Sequence, residues 1–581
     1  MAASQQTPTV EPMTDKVGKA ENNNIQPQTS HIEEDDGVKH DNRPVLKSTL
    51  DDLGLLTTVK RFWKACLVCN LMCIAAGADG FQITLNGNII ANRGFINHFG
   101  FPNAAGKHTL DANYTALWGA LQSLGQLIGM VLLNPVSDKI GRKMTMYLLW
   151  IILAASLFLE TFARNWQDWA GAKILAGMGV GCIQATLPIY VTEWAPVNIR
   201  GAMLFCYGFW NRIGSFLGPL VLTLRERVDP LDYKTPILTQ WGFLGLMLPI
   251  FIWIPETAAY YAARDQDDEG RASLRRINGK VEGYDVDAEF AVIKNTVIRE
   301  RQEAEELGLH VKGWRPLLRS YMECFKGTNA VRTLGAALPV CAQQLTGLSF
   351  LNTYASLFFR QSGFNDPFLI TTILSELLMA DTQRLLADMT CSPAVIALGT
   401  SLTLITVTDK FGRRNVVVIA AIVCTFTMLI VGILGFVPKT KPLQNFLIFV
   451  ACMWSFFNVA LGSLGWAFVG EVASQKLRAR TAGLAAGSSV LFGLTFNTSV
   501  PIMLDINNAN WGYKTAWLFL GTGIVVTVLV YFFVPEPSQR NSAELDEMFA
   551  KKVPARQMRK YVTDVQKQQG FGRYVEEEEK V

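Results

Sequence analysis

Apolar blocks of about 20 residues recur along the whole chain, and they constrain it more than any other feature. A helix of that length crosses the roughly 30 Å hydrocarbon core of a bilayer. No water there can satisfy backbone N–H and C=O groups, so a spanning segment must satisfy its own, as a helix does. Twelve helices are expected, near 61–85, 113–134, 145–163, 169–190, 202–224 and 236–254 in the first half. In the second half they fall near 331–358, 368–408, 415–437, 445–468, 483–504 and 514–534. Composition agrees. Half of the 581 residues are apolar and 18% are charged, against roughly 25% charged in soluble domains. A net charge of +4 is too small for a nucleic-acid binder led by charge.

The ends read differently. Residues 1–60 are polar, with an acidic knot at Glu33-Glu34-Asp35-Asp36 and no apolar run. They are expected to be a disordered tail rather than a signal peptide. The cysteines lie mostly inside apolar blocks, so Cys66-x-x-Cys69, which has no partner pair, reads as small apolar packing rather than a metal or redox motif. Basic residues set the orientation. Lys139, Arg142, Lys143, Arg200, Arg271, Arg275, Arg276, Lys410, Arg413, Arg414, Lys476, Arg478 and Arg480 gather in one set of loops. Both tails and the charged segment 256–329 therefore fall on the cytoplasmic side. The sequon Asn113-Tyr114-Thr115 falls on the other side, too close to the second span for ready use.

The halves repeat. Asp138-Lys-Ile-Gly141-Arg142-Lys143 returns as Asp409-Lys-Phe-Gly412-Arg413-Arg414. Glu193 precedes Arg200 by seven residues, as Glu471 precedes Arg478 (200 − 193 = 478 − 471 = 7). Pro255-Glu256 returns as Pro535-Glu536. Three landmarks in one order point to two six-helix bundles, 61–255 and 330–535, related by a parallel repeat. A helical linker domain (256–329) separates them, and a tail (536–581) follows.

The residues that carry this repeat also resemble a known family. Asp-x-x-Gly-Arg-Lys/Arg after spans two and eight resembles the major facilitator superfamily. Pro188-Ile-Tyr-Val-Thr-Glu193 through Arg200-Gly201, Pro255-Glu256-Thr257, Gln343-Gln344-Leu-Thr-Gly347, and Pro535-Glu536 with Glu544-Leu-Asp-Glu-Met-Phe549 resemble its sugar-porter branch, in the style of fungal sugar permeases. The likeness runs from about 60 to 550. It implies an all-α membrane protein with twelve transmembrane helices, in the plasma membrane. It also implies alternating access, a sugar (hexose or disaccharide) as cargo, and no cofactor.

Roles follow from that resemblance by position. Asp138 with Arg142, Glu193 with Arg200, Asp409 with Arg413 and Glu471 with Arg478 would clamp a cytoplasmic gate; charged caps and topology anchors are the plainer reading. Asp79 is an acid inside a span, which is costly and commonly functional. It matches the aspartate that the proton-coupled branch protonates. The arginine expected in span four is Lys173 here, which keeps the charge and loses the fork. Proton symport is the expectation; a structural ion pair with facilitated diffusion is the alternative. The substrate site implied is Gln343, Gln344, Tyr354 and the stacking Trp466. Departures from the family pattern put Ser349 where an Asn is expected and Gly208 and Ser215 where two glutamines are; the span-eleven Asn maps near Ser488 or Ser489 with Asn497, a further candidate contact, along the same span, and Asn211 and Arg212 lie in mid-span five. Two readings of Arg212 stand side by side. It enlarges the chemistry toward a disaccharide or sugar acid, or it only satisfies backbone carbonyls or an acidic neighbour.

One stretch breaks the pattern. Pro367 to Asp409 spans 42 residues (409 − 367), where one crossing needs about 20. The excess, residues 376–394, holds Glu376, Asp381, Arg384, Asp388 and Pro393. It reads as an unspliced in-frame intron, with a re-entrant or extracellular excursion as the alternative. Competing classes are a non-transporting sugar sensor, a facilitative carrier for a polyol or sugar acid, and a membrane enzyme. Against the last, none of the five histidines lies in a span and no catalytic or metal-ligand set is visible. The partners expected are a small sugar, protons and lipid, without nucleic acid, for a monomeric chain.

Overall fold

The computed structural model describes residues 55–102, 106, 108–196, 199–306, 321–364, 367–372, 411–438, 440–473, 477–505, 508–537 and 542–563. Residues 1–54, the insert 376–394, Asp409 and residues 564–581 lie outside these.

The described chain is helical, apart from one two-residue antiparallel pair, Phe101–Pro102 with His108–Thr109. Its long helices follow the apolar blocks. In the first half they are α1 (Trp63–Ile89), α2 (Ala112–Ile128), α3 (Arg142–Phe162), α4 (Trp166–Trp194), α5 (Arg200–Val228) and α6 (Gln240–Trp253). In the second half they are α7 (Gly327–Leu345), α8 (Arg413–Leu434), α9 (Lys441–Val472), α10 (Arg478–Leu504) and α11 (Thr515–Phe533). Among the described residues, eight helical stretches are long and apolar enough to cross a membrane; they include α1, α3, α4, α8 and most of α9. Helices α2, α5 and α7 are not among the eight, and each shows why. Helix α5 carries Asn211 and Arg212 in its middle and Arg225, Glu226 and Arg227 at its end. Helix α7 stops before Gly347, where φ is +101°, and resumes as a π-turn (Ser349–Thr353) and a short helix (Ala355–Gln361). Helix α2 runs through a π-turn (Gly129–Leu133) into Asn134–Ile140.

Two packing devices position the site. Gly177 and Gly181 of α4 face the backbone of α2, where a Cβ would strike Gln122 and Gln126 carbonyls; Gly179 faces Leu153 of α3. Close backbone approach of this kind is how helices associate without a hydrophobic driving force. On α1, Gly77 and Gly80 lie against the backbone of α5 at Gly214 and Asn211. Helices α1, α2, α4 and α5 are thus drawn together, and their few polar side chains are brought into contact.

Between the halves, the segment expected to be helical over Asp287 to Leu307 is a helix over Val286–Glu306. It packs Phe290 against Gly270 of a second helix, Asp267–Asn278. Lys294 binds Asp267 at 2.7 Å across the pair.

Candidate functional site

Asp79 sits inside α1 with no solvent exposure. Its Oδ1 and Oδ2 accept from Gln184 Nε2 of α4 at 3.1 and 3.2 Å. Oδ2 also accepts from Tyr207 Oη at 2.9 Å and Asn211 Nδ2 at 3.1 Å, both on α5. Every one of these donors is neutral. Gln184 Oε1 in turn accepts from Gln126 Nε2 at 2.6 Å. Asn211, expected to reach substrate, is committed to Asp79 instead, because the α1–α5 glycine contact brings its amide within hydrogen-bond range.

Lys173 does not pair with Asp79, which corrects the expected proton-coupling couple. Its ammonium donates to Glu160 Oε1 of α3 at 3.0 Å and to Asn86 of α1, and lies 4.0 Å from the centre of the Trp169 ring. The reason is geometric. Asp79 lies beside Gln184, eleven residues along α4 from Lys173 (184 − 173), or about 16 Å at 1.5 Å per residue. Glu160 is completely buried and also accepts from Gln82 at 2.6 Å and Gln240 at 3.2 Å. Asp79 and the Glu160–Lys173 pair therefore form two separate stations rather than one.

A cavity lies beside the second station. Asn86, Gln126 and Lys173 line it from one half, and Tyr354 and Asn497 from the other. Asn497 joins the halves. Its Oδ1 accepts from Ser349 Oγ at 2.7 Å, its Nδ2 donates to Ser123 of α2 at 3.1 Å, and its carbonyl accepts from Tyr354 Oη at 3.0 Å. A second, smaller cavity lies between α1 and α5 on one side and Asn352, Ala355 and Ser455 on the other. Arg212 lines it.

The remaining substrate candidates stand apart from these cavities. Gln343 and Gln344 are half-buried, the first against Gly462 of α9 and the second beside Gly493 of α10. Gly208 is exposed, and a Cβ there would meet nothing within 4 Å. Trp466 is 49% exposed and lines neither cavity.

The loop motifs form caps as well as ion pairs. Arg142 binds Asp138 at 3.2 Å and Glu193 at 3.0 Å. Glu193 thus engages Arg142, while Arg200 opens α5 at an exposed position. Glu256 accepts from the backbone N–H groups of Arg142 (3.1 Å) and Lys143 (2.9 Å). Glu536 does the same for Arg413 (2.9 Å) and Arg414 (3.2 Å). Each Pro-Glu carboxylate therefore caps the N-terminus of the helix after the loop, where unsatisfied N–H groups and the helix dipole favour an anion. Burial holds the Glu256 carboxyl above its ordinary range, against the backbone N–H groups of Thr257, Lys143 and Arg142. The side chains of Glu471 and Arg478 lie outside the described residues.

A model of the family "Sugar (and other) transporter" matches residues 68–549. The chain belongs to this sugar transporter family. It is a multi-pass membrane transporter of the major facilitator superfamily, and not an enzyme. It is 25% identical to the low-affinity glucose transporter HXT3 of Saccharomyces cerevisiae, over 88% of each chain. It is 26% identical to a general alpha-glucoside permease of the same species, over 88% of this chain and 79% of that one. It is 25% identical to the major facilitator-type transporter ecdD of Aspergillus rugulosus, over 85% of this chain and 88% of that one. In fold it is similar to the proton:xylose symporter XylE bound to 6-bromo-6-deoxy-D-glucose, with a TM-score of 0.61, 19% identity, and 85% of this chain covering all of that one. The inward-open form of XylE from E. coli gives 0.59 at 20% identity, over 84% of this chain and 99% of that one.

Several polar residues of this sugar transporter escaped the sequence reading. Glu160 is an acid in an apolar block and carried the same signal as Asp79. Gln82, Gln126, Gln184 and Tyr207 carried none, since a single polar residue in a span is legible only through its partner. Glu256 and Glu536 were visible as repeat landmarks, but their capping role needs the loop folded back on them.

Proposed function

We propose that this transporter moves a sugar, a hexose or disaccharide, by alternating access and draws on proton symport. The carrying observation is Asp79. It is a fully buried carboxylate held, among the described residues, by neutral donors and linked through Gln184 and Gln126 to the rim of the larger cavity. A carboxylate held by neutral groups can gain and lose a proton without breaking an ion pair, which suits a coupling site. Similarity to glucose and alpha-glucoside carriers and to a proton:xylose symporter supports the same reading.

In this reading the chain makes twelve crossings as two six-helix bundles, 61–255 and 330–535. It lies in the plasma membrane as a monomer contacting lipid, with no nucleic-acid partner. Its tails (1–60 and 536–581) and the 256–329 domain are cytoplasmic. Gln343, Gln344, Ser349, Tyr354, Trp466, Gly208 and Asn497 close on the sugar as the halves rock. Arg142 with Asp138 and Glu193, and the corresponding groups around Arg413, bias the cytoplasmic gate; a network of this kind shifts two states that differ by a few kcal/mol.

The test is uptake of labelled hexoses and disaccharides into transporter-null cells, with and without a protonophore, for the wild-type chain and Asp79→Asn. The expected result is protonophore-sensitive accumulation that Asp79→Asn loses while retaining sugar exchange at equal concentrations. Accumulation by Asp79→Asn equal to wild type removes Asp79 as the coupling carboxylate.

A further inference from the structure

Arg212 is a cation inside α5. Among the described residues no carboxylate or carbonyl accepts from its guanidinium, and it is the one charged residue lining the second cavity, between the halves. Neighbouring positions of a helix point about 100° apart, so Asn211 turns to Asp79 while Arg212 faces the cavity. The reading in which Arg212 merely satisfies an acidic neighbour or backbone carbonyls finds no such partner among the described residues.

The groups around it are also open. Asn88 Nδ2 donates to Thr84, but its Oδ1 is buried without a donor. Asn352 and Ser455 line the same cavity from the other half. The cavity therefore offers a planar five-donor cation, an orphaned acceptor, an amide and a hydroxyl.

We propose that this cavity binds a polyhydroxylated carboxylate, an aldonic or uronic acid, with the carboxylate on Arg212 and hydroxyls on Asn88, Asn352 and Ser455. The inference rests on the transporter reading above and adds a sugar acid to the neutral sugars proposed there. A half-buried guanidinium left unpaired among the described residues is costly, and a carboxylate answers its fork geometry with two parallel hydrogen bonds. A neutral sugar leaves the charge uncompensated. A single guanidinium with no second cation on the cavity wall suits a monoanion better than a phosphate dianion. Because Asn352 and Ser455 belong to the opposite half from Arg212, the ligand bridges the two bodies whose movement carries it.

The experiment compares labelled D-gluconate, D-glucuronate, D-glucose and D-sorbitol in transporter-null cells expressing the full chain. Competition of each unlabelled acid against the transported neutral sugar is measured alongside. The expected result is that an acid is transported, and that Arg212→Gln lowers the acid-to-neutral ratio of kcat/KM by about tenfold to a hundredfold, the worth of a charge-assisted hydrogen bond. Arg212→Lys is expected to recover part of that ratio. If neutral sugars enter but neither acid enters nor competes in large excess, the inference falls and the transporter reading stands. If no sugar, polyol or acid moves, both fall. Should Arg212→Gln fail to reach the membrane, competition on the wild-type chain decides alone.

Discussion

The Glu160–Lys173 pair gives a sharp test of how the buried charges are arranged. Lys173→Met keeps the side-chain length and removes the ammonium. Glu160 then remains buried with only Gln82 at 2.6 Å and Gln240 at 3.2 Å. Glu160→Gln leaves the ammonium with Asn86 and the Trp169 ring alone. Removing one partner of a buried pair costs about 3–5 kcal/mol, because the other charge is stranded. Removing both avoids that cost, so the double variant is expected within about 1 kcal/mol of wild type. Unfolding entropy of about 2 cal/mol/K per residue, over 581 residues, converts about 1.2 kcal/mol into one degree. Each single variant should then melt about 2–4 °C below wild type and the double within about 1 °C of it. Thermal stability read by size-exclusion chromatography of detergent-solubilised protein measures all four corners of the cycle. Additive losses, with the double variant melting lowest, would refute a buried pair. So would a Lys173→Met protein that melts with wild type.

Further expectations rest on other contacts. Gly141 and Gly412 have φ of +100° and +86° and face the Glu256 and Glu536 carboxylates. Alanine at either should therefore destabilise by at least about 1–2 kcal/mol, seen as a lower melting temperature. Asn497→Ala removes the links to Ser349 and Ser123. It should lower sugar uptake and cost about 1–3 kcal/mol by leaving buried partners unsatisfied. Because the folded pKa of Glu256 lies above its unfolded value, the folded state binds the proton more tightly, and stability rises as pH falls through the folded pKa toward the unfolded one. The wild type should thus gain stability on mild acidification relative to Glu256→Gln in a melting series against pH. A Glu256→Gln protein that follows the wild-type pH profile would remove that assignment.

Much of the architecture was legible because its cause is local. An apolar block of about 20 residues must become a helix in hydrocarbon, and the helices fall where the blocks do. The repeated Asp-x-x-Gly-Arg was legible as a loop, and Gly141 and Gly412 are glycines because their φ is positive. What lay beyond reach was pairing. Arg142 and Glu256 are 114 residues apart, and nothing near either one announces that a carboxylate will cap that helix. Lys173 was matched to Asp79 by position in a family motif. Yet eleven residues of helix rise separate it from Gln184, and Glu160 of α3 is its partner. Trp466 shows a similar limit: an aromatic on a span reads as a stacking platform, while its exposure depends on which neighbour is packed against it.

The sequence by itself determined that the chain is a two-fold repeat of apolar helices with its charges gathered in loops, because solvent and periodicity act residue by residue. It also singled out Asp79, Lys173 and Arg212, since a charge in a span is conspicuous wherever it points. Only the tertiary structure decided what each charge meets: neutral donors for Asp79, Glu160 for Lys173, and for Arg212 a cavity between the halves. Those assignments depend on helix rotation and on glycine-set distances between backbones, and both emerge only when distant segments pack.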